Sequence, residues 1–406
     1  MVRTSIKTNG SGLDRLSDLP EHLSCRILSQ LSTKDSVRTS VLSKHWRNLW
    51  LHVPALDLDT IDFPNNLVFK EFIDRFVEFD KELDLKRFEL FYDVNHAHSF
   101  DEFLWMIDDV VKRRVGHVTV INNVYVVDET LVTMPLSLYS CATLVNLDLS
   151  FVAMNKPQSE LVSLPCVKTM HLDAVKFNGD DSILETLISS CSVLNDLTVI
   201  AHPGDYAQVV CVRSRSLKSF TLESQSQYQD PNVVIDCPRL EYMSVMEYQP
   251  ASIVVHSIGP YAKVNIDVMF EVDYEDPLAI TMIRSFLIAI SKAREMTIST
   301  RTLELIDGYH LKVKELPKFS NLSRLDALLD KSFWDRLPGF LGCCINLNSF
   351  VLELDGHSEI EEIKVSPLLQ DALSARGFVQ LKTPLSVTKT SSEMRKIAAY
   401  FVKKSG

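Results

Sequence analysis

The chain has 406 residues, 46% of them apolar and 23% charged, with a formal net charge of −11. That balance belongs to a globular protein; it excludes a disordered or fibrous chain and a surface that wraps nucleic acid, which needs clustered cations against phosphate. The longest aliphatic stretch, at residues 286–290, is far short of the roughly 20 residues of a membrane span, and 12 glycines leave little material for phosphate-cradling loops.

The first eleven residues read as a flexible tail without the apolar centre of a secretory signal. A reducing compartment, cytoplasmic and/or nuclear, is therefore expected. The eight cysteines form no C-x-x-C pair, so neither a zinc site nor a thioredoxin-type motif is suggested, and in a reducing compartment all eight are expected to be thiols. In such a compartment the sequons at Asn9 and Asn321 carry no information.

Leu19, Leu23, Ile27, Leu28 and Leu31 fall on one face of a helix. Pro20 and Glu21 suit its first turn. Ser32 and Asp35 have capping-box spacing and open a second helix carrying Val37 and Val41. A third short helix from Ser43 carries Trp46, Leu49 and Trp50. A unit this small buries its own core poorly, so its apolar residues imply a partner surface.

The phrases LSDLPEHL (residues 16–23), RILSQL (26–31), TKDSVRTSVLSK (33–44) and HWRNLW (45–50) carry a resemblance. The segment resembles the F-box of plant F-box proteins with leucine-rich repeats. The resemblance implies docking on the Skp adaptor of a cullin-RING ubiquitin ligase. It makes Leu16, Leu19, Pro20, Ile27, Leu28, Leu31, Trp46, Leu49 and Trp50 the candidate adaptor contacts. Of these, Leu19, Pro20 and Trp46 are assigned mainly to the interface. Leu23 and Val41 are assigned to the small helical core. His45 stands where Arg is more common, at a site expected to be exposed.

After Pro54 the pattern apolar-x-x-apolar-x-apolar recurs from Leu144, Val167, Leu194, Leu217 and Leu240, and again from Leu322 and Leu347. Steps of 23 to 27 residues are the mark of leucine-rich repeats. Each unit supplies a short strand whose alternate side chains point inward, and no unit buries its apolar face alone. Cys141, Cys191 and Cys237 sit just before the pattern, where plant repeats of this kind hold a small buried residue. The blurred segments are read as irregular repeats. They predict a helix bearing Phe69, Phe72, Ile73, Phe76 and Val77, a strand at 87–92, a helix bearing Phe103, Ile107 and Val110, and a strand at 117–121. Further on come a strand at 264–270, a helix at 277–292 and a strand at 295–299.

The outward strand positions read Asp148, His171, Thr198, Thr221 and Ser244, with Glu223, Tyr242 and Met246 beside them. They form the candidate target-binding face. A plain solvated sheet face is the alternative.

Near the C-terminus, W-x-x-L-P-x-F-L from Trp334 resembles the segment that precedes the FBD region of these plant proteins. Residues 366–381 depart from it by lacking the aromatic-rich consensus. A last helix is expected from the Thr390 and Glu393 capping pair, with Met394, Ile397, Ala398, Phe401 and Val402 on one face.

No nucleotide-binding, hydrolase or metalloprotease motif occurs. His96 and His98 read as a solvated loop, and the acidic pairs at 108–109, 180–181 and 361–362 as solvated faces. The expected fold class is α/β: a small three-helix F-box (12–52), an irregular leucine-rich-repeat solenoid (53–360), and an FBD-like cap with a capping helix (361–406). The expected function is substrate recognition in a Skp–cullin–F-box ligase, without catalysis or cofactor. Its partners would be a Skp-type adaptor and a protein target of unknown identity, with no membrane and no direct nucleic acid. A non-degradative scaffold and a small-ligand co-receptor are the alternatives.

Overall fold

A computed structural model describes residues 16–79, 84–93, 100–123, 131–157, 162–178, 182–201, 209–224, 232–248, 253–270, 273–313, 316–354 and 378–382. The chain divides into two compact units, Met1–Asn123 and Val124–Gly406. No helix among the described residues is long and apolar enough to cross a membrane.

The first unit opens with α1 (Glu21–Leu28) and α2 (Thr33–Arg38). The Ser32 side chain accepts from the Asp35 amide at 3.1 Å, as the capping spacing predicts. The expected third helix is a 3-10 helix, Trp46–His52. Its three-residue turn eclipses Trp46 and Leu49, and both are buried. There follow β1 (Ala55–Asp59), α3 (Asn66–Phe79), β2 (Arg87–Asp93), α4 (Phe100–Lys112) and β3 (His117–Asn123). The strands pair in parallel in the order β1-β2-β3. Leu56 and Leu58, Phe88 and Leu90, and Val118 and Val120 point into the core.

Two contacts bind the opening helices to this first repeat. The Thr33 amide and hydroxyl donate to Asp57 Oδ1 at 2.6 and 2.5 Å, and the Asp57 amide donates to Thr33 Oγ1 at 2.9 Å. Trp50 stacks on Phe72 and Phe76 of α3, with ring centroids 5.1 and 6.4 Å apart.

One acidic pair departs from the solvated-face expectation. Asp109 accepts from Nε of Arg113 at 3.2 Å, and Arg113 is buried. The same guanidinium donates to the Phe76 carbonyl at 3.2 Å and to the Val77 carbonyl, and lies 4.9 Å over the Phe76 ring. Asp109 is thus the counter-ion of a buried cation that caps the end of α3. The reason is spatial: Arg113, one turn on, is turned inward toward that helix end.

The second unit holds β4 (Val132–Thr133), β5 (Asn146–Ser150), β6 (Val152–Asn155), β7 (Thr169–Asp173), β8 (Lys176–Asn178), α5 (Ser182–Ser190) and β9 (Asp196–Ala201). It continues through β10 (Val209–Arg213), β11 (Ser219–Ser224), β12 (Asn232–Cys237), β13 (Tyr242–Tyr248), β14 (Ile253–Ile258) and β15 (Lys263–Val268). Then come α6 (Pro277–Ile290), β16 (Glu295–Ser299), α7 (Thr300–Val313), β17 (Arg324–Leu329), α8 (Leu337–Cys343), β18 (Ser349–Leu354) and β19 (Phe378–Lys382). The main parallel sheet runs β5-β7-β9-β11-β13-β15-β16-β17-β18-β19, in chain order, as stacked repeats require. β19, from the segment read as FBD-like, adds the last strand of this order.

Behind the main sheet lie two small sheets, β4-β6-β8 and β10-β12-β14, which the sequence reading does not anticipate. Repeat length explains them. Ser219 pairs with both Asp196 and Tyr242, and these 23-residue steps return through a strand. The longer steps from Lys263 to Glu295 and from Glu295 to Arg324 have room for α6 and α7.

A turn recurs before each main strand. The amides of Leu144, Leu194, Leu240 and Leu347 donate to the carbonyls of Cys141, Cys191, Cys237 and Cys344 at 3.1–3.4 Å. All four cysteines are buried, as expected for the first three. Gly259 takes the equivalent place before Ala262. The tail at 1–11, His96 and His98, the acidic pairs at 180–181 and 361–362, and the expected helix bearing Met394 to Val402 lie outside the described residues.

Candidate adaptor and target interfaces

The apolar stripe of α1 exists, but most of it faces outward. Leu28 and Ser24 pack inside, while Leu23 and Ile27 are exposed. Leu16 and Leu31 are exposed beside them, Leu19 is half-buried, and Pro20 is exposed at the helix start. Trp46, Leu49 and Trp50 fill the interior that the stripe would otherwise occupy. Three expectations are corrected by this packing. Leu23 and Val41 are not core: Leu23 lies on the outward side of α1, and Val41 is 87% exposed beside Leu42 at 61%. Trp46 is not on the surface: it is 3% exposed, with its ring edge-on to His45 at 6.0 Å. His45 itself is half-buried, with Nε2 3.5 Å from the Ser24 hydroxyl.

Beyond Val41 a groove of about 900 Å³ runs from the opening helices onto α3. Val37, Val41, Trp50, Val68 and Phe72 are its apolar lining, and Lys44, Arg47, Arg75 and Glu71 its charged lining. The Ser40 hydroxyl oxygen is buried without a hydrogen-bond partner. None of Val68, Phe72 and Arg75 is among the candidate contact residues of the sequence, although Phe72 belongs to the apolar stripe expected from Phe69 to Val77.

On the second unit, Asp148, His171, Thr198, Thr221 and Ser244 are successive register partners across β5, β7, β9, β11 and β13. The structure brings them into one row, which Asn265, Thr297 and Asp326 continue. Tyr242 is exposed, and Glu223 and Met246 are half-buried. Ser244 departs from the outward expectation: it is 3% exposed, and its hydroxyl accepts from Asn265 Nδ2 at 3.2 Å. Small size lets neighbouring side chains cover it. Burial holds the Asp148 carboxyl above the usual range; Asp173 pushes the same way, and His171 opposes both. Along the strand starts, charges are paired across repeats: Lys218 with Glu241 at 3.0 Å and Lys263 with Glu295 at 2.8 Å.

Comparison with known proteins matches two family descriptions. Residues 16–56 match the F-box domain, and residues 106–260 match the LRR repeats of FBD-associated F-box protein At5g56370. The chain is 75% identical over 406 residues to F-box protein At1g60400 of Arabidopsis thaliana, covering 100% of both chains. The chain belongs to the plant F-box/FBD/LRR-repeat family. Similar members from the same organism are FBD-associated F-box protein At1g60410, 54% identical across 100% of this chain and 97% of that one, and F-box/FBD/LRR-repeat protein At1g80470, 49% identical across 96% and 83%. The outward α1 face is therefore part of an F-box, and the main sheet of the second unit is a leucine-rich-repeat sheet.

Proposed function

We propose that this F-box/LRR protein is the non-catalytic, target-recruiting subunit of a Skp–cullin–F-box ubiquitin ligase in the cytosol and/or nucleus. The observation that carries the reading is an apolar helix face turned to solvent within the F-box match. Leu16, Leu19, Pro20, Ile27 and Leu31 contact a Skp-type adaptor, joined by Leu23, Val41 and Leu42. Leu28, Trp46, Leu49 and Trp50 hold that surface from beneath. The repeat sheet holds a protein target, so that tethering raises the local concentration of target lysines near the ubiquitin donor. The F-box at 12–52, the solenoid at 53–360 and the FBD-like cap at 361–406 divide these tasks.

Apolar anchors at an interface centre dominate its energy. Replacing Leu19 and Pro20 together with Ala is expected to weaken adaptor association by about 2–5 kcal/mol with the thermal transition of the repeats unchanged. Co-purification of that variant with a Skp adaptor at wild-type yield sinks the docking assignment. In a reconstituted ligase, a captured target that is never ubiquitinated would replace the reading with the non-degradative scaffold.

A further inference from the structure

The open face of the repeat sheet carries a pattern with a definite step. Asp173 on β7, Ile200 on β9, Glu223 on β11 and Met246 on β13 are register partners in that order. All four are half-buried. Acidic and apolar side chains thus alternate strand by strand, and Asp148 stands in the adjoining row opposite His171. Three cations of the sheet are paired within it: Lys218 with Glu241, Lys263 with Glu295, and Arg324 with Asp326. Among the described residues, no Lys or Arg forms an ion pair with Asp148 or Glu223.

We propose that this face receives a basic amphipathic α-helix of the protein target, laid across the strands with cationic side chains on Asp148 and Glu223 and apolar ones on Ile200 and Met246. The inference deepens the target-capture reading and rests on it. Neighbouring strands lie about 4.8 Å apart. A helix rises about 1.5 Å per residue, so roughly three residues cover one strand step and one turn nearly matches it. A cation for Asp148, an apolar residue for Ile200, a cation for Glu223 and an apolar residue for Met246, at i, i+7, i+11 and i+14, then form one helix face. An extended segment repeats its facing side chains about every 6.7 Å and falls out of step with the sheet. Charge selects the sign: the acidic row repels an acidic helix and attracts a basic one. The half-burial of Asp148, which disfavours its bare charge, is relieved by a cation seated there.

The test uses the full chain and a labelled Ala/Gln peptide of about 18 residues with Arg at i and i+11 and Leu at i+7 and i+14. Fluorescence anisotropy is expected to show saturable binding, with peptide helicity rising by circular dichroism. Asp148→Lys with Glu223→Lys is expected to weaken binding at least about tenfold, and the milder Glu223→Gln to weaken it with an unchanged melting curve. Equal binding of a scrambled peptide of the same composition overturns the proposal, as does absence of binding or indifference to all three substitutions. Adaptor pull-down on the same protein separates the two readings. Peptide failure with adaptor binding intact overturns this inference alone, whereas loss of adaptor binding overturns the ligase reading.

Discussion

Arg113 is a charge in a place where charges are costly. Its side chain is 4% exposed, and its partners are Asp109 and two carbonyls at the end of α3. Removing one member of such a group strands the others without water. Arg113→Ala is expected to cost about 3–5 kcal/mol, read as a lower urea midpoint for the first unit. A loss below about 1 kcal/mol would mean that the site is wet. Asp148 works with the opposite sign. Burial raises its pKa, with Asp173 adding and His171 opposing, so the folded state holds a proton that the unfolded chain has released. Stability therefore falls as pH rises through the window above the ordinary carboxylate range. Asp148→Asn is expected to remove that fall, a gain under about 1 kcal/mol because the half-exposed site is screened. Urea midpoints from about pH 3 to about pH 7 check it: the variant and parent should converge at the acid end.

At the scale of elements, the repeated turn before each strand sets a packing limit. Where other repeats place cysteine, Gly259 stands with the Leu240 carbonyl so close that an added Cβ would overlap backbone. Gly259→Ala forces β13 and β15 apart locally and is expected to cost about 1–3 kcal/mol by thermal melting. A neutral result would show that the turn yields. The strands on either side were legible because L-x-x-L-x-L states their inward positions directly: Leu147 and Leu149, or Phe220 and Leu222, are buried as read. The back sheets were not, because Val210, Val233 and Val255 lie in runs without that frame. Helix α7 was missed for a related reason. Its buried Leu303, Ile306 and Tyr309 do share a face, but Gly308 and the polar stretch around them dilute the stripe. In the F-box, periodicity identified which residues share a side of α1 but not which way that side turns. Two tryptophans arriving later in the chain took the interior and left Leu23 and Ile27 outside.

For the whole molecule, stacking replaces cross-linking. None of the eight cysteines is in a disulfide. Within each unit the repeats instead hand their open sides to the next, so the apolar core of that unit is continuous. The thiols differ in reach: Cys166 is exposed, whereas burial pushes Cys191 and Cys237 up to about 11. Thiolate is the reactive form, so a maleimide is expected to label Cys166 first and Cys191 and Cys237 only on unfolding. Mass spectrometry after non-reducing denaturation should then find all eight labelled. A stoichiometric disulfide would overturn both the compartment expectation and the account of the core.

The stack of Trp50 on Phe72 and Phe76 has a consequence for synthesis. A nascent chain that has emerged only as far as His52 carries the helical part of the F-box but lacks the aromatic platform on which its last turn rests. Asp57, which holds Thr33, arrives a few residues later, and α3 later still. The ribosome therefore delivers the docking surface before the support that shapes it. If this face docks as proposed, competence is expected to begin once residue 79 has cleared the exit tunnel; until then the outward leucines and the unburied tryptophans together form a sticky apolar segment of the kind that chaperones hold.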